Sequence, residues 1–480
     1  MASRRDLFQS YQFMVQRVIS GMVQRETDPI QTPLRKMIGS AFAGVMIAVV
    51  GLAGAGLIGV FFKSDSNEWQ NSSVVIVEKE TAATFVWLPD DEAGENLLFP
   101  TANFTSAALL VNSIEVAEVS RASLRAAPRG PRLGIADAPD SLPDPGRMLG
   151  APWTLCSLPA ETIAGAQVPN TALVVGRDIS QGNRIGATAV LVRDIELNTL
   201  HFVWNGHQYP ITSEAAVLEA LILQTAPVVE VGTAWLNALP SGRDLKPEPV
   251  QGRGDVSTVI PDGIVGEIRY VAEGGNRQYY QIGAEQIFEI TQVQAAILLA
   301  DPEIRDTVYT GAPPEERELS SDQAARLSAA QRVDLPGLAP TDPPAVRPEL
   351  TGISDQDPTI CASFENDQST PDISIEAAVD GAEDANATRQ VTEAGNVLAD
   401  RVLVDPGFGA IVEERLSDSA ESGTRYLITN EGRRYLLPSL EVQTLLGYGT
   451  AEPIALPASL IARVPSGAAL DPRAASQTVG

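Results

Sequence analysis

Side chains that could do chemistry are scarce enough in this chain to be checked one by one. There are two histidines, His201 and His207, and two cysteines, Cys156 and Cys361. The histidines flank an Asn205-Gly206 turn, and the cysteines lie far from both. A zinc site needs three or four clustered ligands, so solvated strand residues are the expectation here and no metal is expected. A P-loop needs a lysine directly after a glycine, to neutralise phosphate held by backbone amides. None of the four lysines (Lys36, Lys63, Lys79, Lys246) follows a glycine. No G-x-S-x-G elbow is present to expose a serine nucleophile. Asp90-Asp91-Glu92 and Glu413-Glu414 imitate carboxylate pairs, but among 61 acidic residues such adjacencies arise by chance. We therefore expect no catalytic residue, no metal and no cofactor, and ask what the remaining elements build.

The element that organises the chain is Ile38 to Phe62, which carries no charge between Lys36 and Lys63. At about 1.5 Å per residue, such a helix spans roughly 37 Å, enough to cross a hydrocarbon core of about 30 Å with tilt. The apolar run is too long for the h-region of a signal peptide, and a polar segment precedes it. Residues 1–37 hold six basic and three acidic groups, whereas the whole chain carries −27, leaving −30 for the remainder. The positive-inside bias places the N-terminus in the cytoplasm and the bulk of the chain outside. An acidic exterior excludes nucleic acid as a partner. Gly51, Ala55 and Gly59 form a small-residue ridge where a second membrane helix could pack closely.

Before the span, Leu7 to Gln24 has helical periodicity. Leu7, Tyr11, Met14, Val18 and Met22 recur at three- and four-residue spacing, with Val15 and Ile19 widening the stripe. Its arginines are too scattered for a polybasic lipid anchor, so a docking face for a cytosolic partner protein is expected. Outside the membrane, Cys156 and Cys361 sit in an oxidising compartment, where a disulfide is the default reading.

The exterior shows weak self-similarity. His201 to Ser213 and Arg425 to Ser439 align on Gly206 with Gly432, Tyr209 with Tyr435 and Ser213 with Ser439. Each reads as a β-hairpin followed by a serine-capped helix. Weaker copies start at Phe85 and near Tyr279. A proline-marked turn follows each copy: Pro128-Arg129-Gly130, Pro240-Ser241-Gly242, Pro313-Pro314 and Pro465-Ser466-Gly467. Two Pro-rich spacers, each holding one cysteine, interrupt the series, so the order is a near-palindrome about residue 260. The expected fold is α+β: a cytosolic helix (1–37), one transmembrane helix (38–62), and an elongated exterior of four hairpin/helix repeats. The repeats are placed at 70–145, 190–252, 253–334 and 406–467. A disulfide-stapled, β-rich central domain with approximate two-fold symmetry is assembled from 146–189 and 335–405. Residues 468–480 are expected to form a mobile tail.

This combination resembles the EccB family, membrane-core components of the actinobacterial type VII (ESX) secretion machine. The residues that carry the likeness are Tyr11-x-Phe13, Arg17, Met22-Val23-x-Arg25, Asp28 and Pro33-Leu34-Arg35 ahead of one span, with the Pro-Ser-Gly turns and one cysteine in each spacer. The resemblance implies a structural subunit in the inner membrane, with its C-terminal domain periplasmic. Its implied partners are an FtsK-like ATPase, a multi-span channel subunit, another copy of itself and a membrane-bound subtilisin-like protease. Some relatives carry an ATPase label, which the missing P-loop speaks against. Two alternatives stand beside this reading: an extracytoplasmic ATPase or hydrolase, and a cell-wall-binding membrane anchor. Aromatics lining an exposed groove favour the anchor; aromatics buried at hairpin cores (Tyr209, Phe288, Tyr435) favour the scaffold.

Overall fold

The computed structural model describes residues 3–24, 40–49, 69–90, 93–161, 167–179, 182–326, 332–334, 341–354, 358–382, 386–392, 394–417, 420 and 422–479. Two compact units are present, Met1–Gln70 and Asn71–Gly480. In the first, Arg4–Gln24 is one α-helix of 21 residues. Residues 40–49 are also helical, and the other positions of the expected span, 38–39 and 50–62, lie outside the described residues. Among the described residues no helix is long and apolar enough to cross a membrane.

The second unit is mixed α+β, and its described residues form five sheets. Its central sheet has seven strands, in the order Asn386–Ala387, Arg401–Leu403, Gln167–Val175, Trp153–Glu161, Ile360–Phe364, Asp372–Ile375, Asn183–Arg184. Both spacers therefore contribute to one sheet. Alternation along its strands sends Trp153, Leu155, Ile360, Ala362 and Phe364 into the largest apolar core, and turns Cys156 and Cys361 toward a small separate cluster with Ala377.

Four further sheets share one strand order. The first has strands Val75–Glu78, Thr84–Asp90 and Glu95–Pro100, a helix Phe104–Val111, and a fourth strand Val116–Val119 that returns parallel to the first. Ala189–Asp194, Thr199–Trp204, His207–Pro210, the helix Glu214–Ala220 and Val228–Val231 repeat it. So do Ala410–Arg415, Thr424–Ile428, Arg434–Leu437, the helix Leu440–Leu445 and Ile454–Pro457. The remaining sheet, built on Ile268–Glu273, Asn276–Ile282 and Ile287–Ile290, inserts two helices, Gln292–Ala300 and Pro302–Thr307, before its short parallel strand Arg317–Glu318.

Local chemistry explains these starts and turns. Asn205 and Gly206 both have positive φ (50° and 70°), as a two-residue hairpin turn requires. Asn103, Thr291 and Ser439 cap their helices through the side chain, Thr291 as a full capping box with Gln294. Ser213 stands at the N-cap without making that bond.

The sheets are joined through shared cores. One core combines the central sheet with Val190, Val203 and Trp235 of the second four-stranded unit and Val412, Ile428 and Leu456 of the last. Another unites Val75, Val86 and Phe99 with Leu427, Tyr435 and Leu446, so the first four-stranded sheet packs on the last. A third brings Val293 and Ile297 onto Phe202, Tyr209 and Val217.

Two expectations need correction. The Pro313-Pro314 turn precedes the parallel strand Arg317–Glu318; the segment that lies beside the third strand of that sheet is Arg332–Asp334, paired with Ile287 to Glu289. Residues 468–479 are packed rather than loose. Leu470 and Ala475 are fully buried, Pro472–Ala475 is helical, and Gln477 and Val479 exchange backbone bonds with Gly134 and Arg132. Small side chains there permit close packing on the segment around Arg132 and Gly134, which composition alone reads as looseness.

Candidate functional site

Three of the four-stranded units end in one local device. The backbone N–H of Gln208 donates to Pro240 O (3.0 Å), and the N–H of Gly242 donates back to Gln208 O (2.7 Å). Arg434 repeats this with Pro465 (2.9 Å) and Gly467 (2.7 Å), and Leu98 with Pro128 (2.8 Å) and Gly130 (3.2 Å). The residue after each of these is aromatic: Phe99, Tyr209, Tyr435. The glycine backbone lies against the ring, so a Cβ at Gly130, Gly242 or Gly467 would sit 2.3, 2.2 or 2.2 Å from a ring carbon. Three residues on, Leu133, Leu245 and Leu470 donate their N–H to the same third strand, at Pro100, Pro210 and Leu436. Sequence reading finds the turns and tyrosines but misses these leucines, although a Pro-x-Gly-x-x-Leu spacing is common to all three.

Tyr209 and Tyr435 are buried, and burial pushes both hydroxyls up to about 12, so neither ionises near neutral pH. Phe288, the third aromatic expected in a hairpin core, is half-buried. Buried tyrosines serve packing, not a ligand groove.

The histidines are held within their hairpin. His201 Nδ1 faces Gln208 Oε1 at 2.7 Å and its Nε2 faces Thr199 Oγ1 at 2.9 Å; His207 Nδ1 meets Asn205 O at 3.0 Å. Burial lowers the His201 pKa. Among the described residues no cluster of three His, Cys, Asp or Glu could hold a metal. Glu413 and Glu414 are likewise engaged: Glu413 is buried against Arg425 (3.1 Å) and Arg415 (3.7 Å), while the Tyr426 hydroxyl donates to Glu414 at 3.0 Å. Asp91 and Glu92 lie outside the described residues.

Cys156 and Cys361 form a disulfide, on directly opposed positions of adjacent antiparallel strands with Cα atoms 4.0 Å apart. Both are fully buried, and the bridge spans 205 residues of chain. It ties the two spacers within one sheet.

What the described residues leave open is apolar surface. Leu7, Tyr11, Met14, Val18 and Met22 on the N-terminal helix are each more than half exposed, Met22 at 82%. Phe8 extends that stripe and Phe13 lies off it, both exposed. Gly51, Ala55 and Gly59 lie outside the described residues. In the second unit an open groove of about 360 Å³ runs between Pro240, Asp367 to Ser369, Arg415 to Ser417 and Ala455 to Ser459. Its one basic side chain, Arg415, is paired with Asp367.

Residues 1–479 match the family model described as type VII secretion system ESX-1, transport TM domain B (EccB). The chain is 26% identical to "ESX-3 secretion system ATPase EccB3" of Mycolicibacterium smegmatis, over 96% of this chain and 88% of that protein. It is also 26% identical to "ESX-1 secretion system ATPase EccB1" of Mycobacterium tuberculosis, over 92% and 88%. The fold is shared with the chain solved as "Structure of EccB3 dimer from the ESX-3 core complex", at a TM-score of 0.57 and 22% identity, covering 84% of this chain and 100% of that one. A chain in "Structure of an intact ESX-5 inner membrane complex" gives 0.59 at 20% identity, covering 100% and 96%. The match over nearly the whole length, on a fold of sheets tied by one buried disulfide, makes this chain a member of the EccB family of type VII secretion systems.

Proposed function

We propose that this chain is a structural subunit of a type VII secretion channel in the inner membrane. In this reading 38–62 crosses the membrane, the N-terminal helix docks on cytosolic partners, and the chain from residue 70 onward stands outside as four repeats around the stapled central domain. The partners would be an FtsK-like ATPase, a multi-span channel subunit, a second copy of the chain and a membrane-bound subtilisin-like protease.

The observation that carries the reading is the fate of the reactive side chains. His201, His207, Glu413, Glu414 and both cysteines are bonded into the fold, whereas the exposed apolar stripe Leu7-Tyr11-Met14-Val18-Met22 has no such role. A chain that uses its chemistry internally and presents an apolar helix is built for assembly. The word ATPase belongs to the names of the relatives; the sequence has no glycine-lysine pair to support carrying it over.

Deleting residues 3–24 tests the reading. The outer unit should keep its melting temperature, while co-purification of the other membrane subunits should be lost. Retained assembly would sink the docking role of the helix.

A further inference from the structure

In two of the four-stranded sheets the first strand ends on a buried carboxylate. Glu78 lies opposite Val119, and Asp194 opposite Val231, in matching parallel pairs. Two residues further on stand Glu80 and Glu196, while Arg121 and Thr233 open the short helix after the fourth strand. In the first sheet Arg121 serves both acids. Its Nε is 2.7 Å from Glu78 Oε1, and its backbone N–H donates to Glu80 Oε2 at 2.9 Å. In the second sheet the Thr233 N–H donates to Glu196 Oε2 in the same way, but a hydroxyl stands where the guanidinium was. That hydroxyl lies 2.7 and 2.8 Å from the two oxygens of Asp194 and also meets Glu196 Oε2. One hydrogen therefore faces three carboxylate oxygens. Among the described residues the other hydrogen-bond partners of Asp194 are the backbone N–H groups of Glu196 and Leu197, with no basic side chain among them.

Thr171, on the central-sheet strand Gln167–Val175, is aimed into the same cluster. It is 1% exposed, and its hydroxyl has no hydrogen-bond partner. A Cβ at Gly232 would be 2.8 Å from Thr171 Oγ1 and 3.7 Å from Glu196 Oε1, so the two oxygens converge on that glycine. Asp194 is buried and Glu196 is exposed, which opens the cluster to solvent on one side.

We propose that Asp194, Glu196, Thr233 and Thr171 bind one calcium ion, in the place that the Arg121 guanidinium fills in the first sheet. Two carboxylates and two hydroxyls are all oxygen donors, a set that suits calcium and not zinc. With only two carboxylates it is not one of the three-residue His, Cys, Asp or Glu clusters absent from the described residues, and calcium takes hydroxyl and water oxygens for the remainder. Bound there, the ion ties the 195–198 turn and the Thr233 helix of the second sheet to the central sheet.

The test is calcium titration of the full chain in mild detergent after EDTA treatment, followed by calorimetry. One saturable site per chain is expected, with a dissociation constant on the order of 10⁻⁴–10⁻³ M, the range of extracellular calcium modules. Calcium at about 10 mM should raise the melting temperature by about 1–3 °C. Glu196→Gln should weaken binding roughly tenfold or more, whereas Glu219→Gln, an exposed acid on the helix of the same sheet, should not. Thr171→Val replaces an unpartnered hydroxyl by a methyl group, so it should melt no lower than the parent in EDTA yet lose most of the gain from calcium. The absence of a saturable site, diffuse binding lowered equally by Glu196→Gln and Glu219→Gln, or a calcium gain unchanged in Thr171→Val would each overturn the assignment.

Discussion

Gly467→Ala should destabilise the outer unit through one methyl group. Its Cβ would stand 2.2 Å from Tyr435 Cε1, 2.5 Å from Cδ1 and 3.0 Å from Cζ. Carbon atoms pack at about 3.5–4.0 Å, so the ring or the turn must move by more than 1 Å. Tyr435 is 1% exposed within a core that includes Leu427, Leu437 and Leu470, which leaves the ring nowhere to go. The backbone at Gly467 has ordinary φ, so the cost is steric, and overpacking of this kind costs about 1–3 kcal/mol. The assay is denaturant unfolding of the soluble exterior, with Gly150→Ala as control; nothing lies within 4 Å of a Cβ there, and the expected change is within about 0.5 kcal/mol. Tyr435→Leu in the same background should recover stability, giving a coupling of about 1 kcal/mol or more in a double-mutant cycle. Equal effects at Gly467 and Gly150, or no coupling to Tyr435, would refute the ring-against-glycine account.

Cys156→Ser opens a bridge across 205 residues, and the chain-entropy model gives such a loop about 5 kcal/mol; an unchanged unfolding midpoint would contradict the role assigned to the bridge. Because burial lowers the His201 pKa in the folded state, the unfolded chain binds the proton more readily, so stability is full above about pH 6.5 and falls as pH drops below it. His201→Gln should flatten that part of the pH–stability curve, which acid titration of the unfolding midpoint measures. Asp137→Asn breaks a bidentate pair with Arg433 (2.7 Å to each oxygen) that links the first repeat to the last; with both side chains partly exposed, the loss should stay at or below about 1 kcal/mol.

How much of this was legible in the sequence follows from the range of the interactions. Asn205-Gly206, the tyrosines at 209 and 435 and the Pro-Ser-Gly turns are local signals, and each predicted its element. Composition and compartment were enough to pair Cys156 with Cys361. The sequence reading assembled a stapled central domain from 146–189 and 335–405, but the strand order and register of the seven-stranded sheet were not readable, because nothing local encodes that Ile360–Phe364 pairs with Trp153–Glu161 across two intervening sheets. Nor was the packing of the first repeat on the C-terminal segment, where Gly134 and Gln477 meet through backbone atoms that leave no side-chain signature. The leucines at 133, 245 and 470 were readable and missed, since their spacing to glycine is constant while the intervening residues differ.

The central claim is that this EccB-family chain works by holding an assembly together. Its most direct test is extraction of the tagged full chain from native membranes in mild detergent, followed by mass analysis of the purified particle. The account predicts a large particle containing a motor ATPase and a multi-span membrane subunit. A lone chain or pair of chains, stable across detergents and free of other subunits, would contradict it.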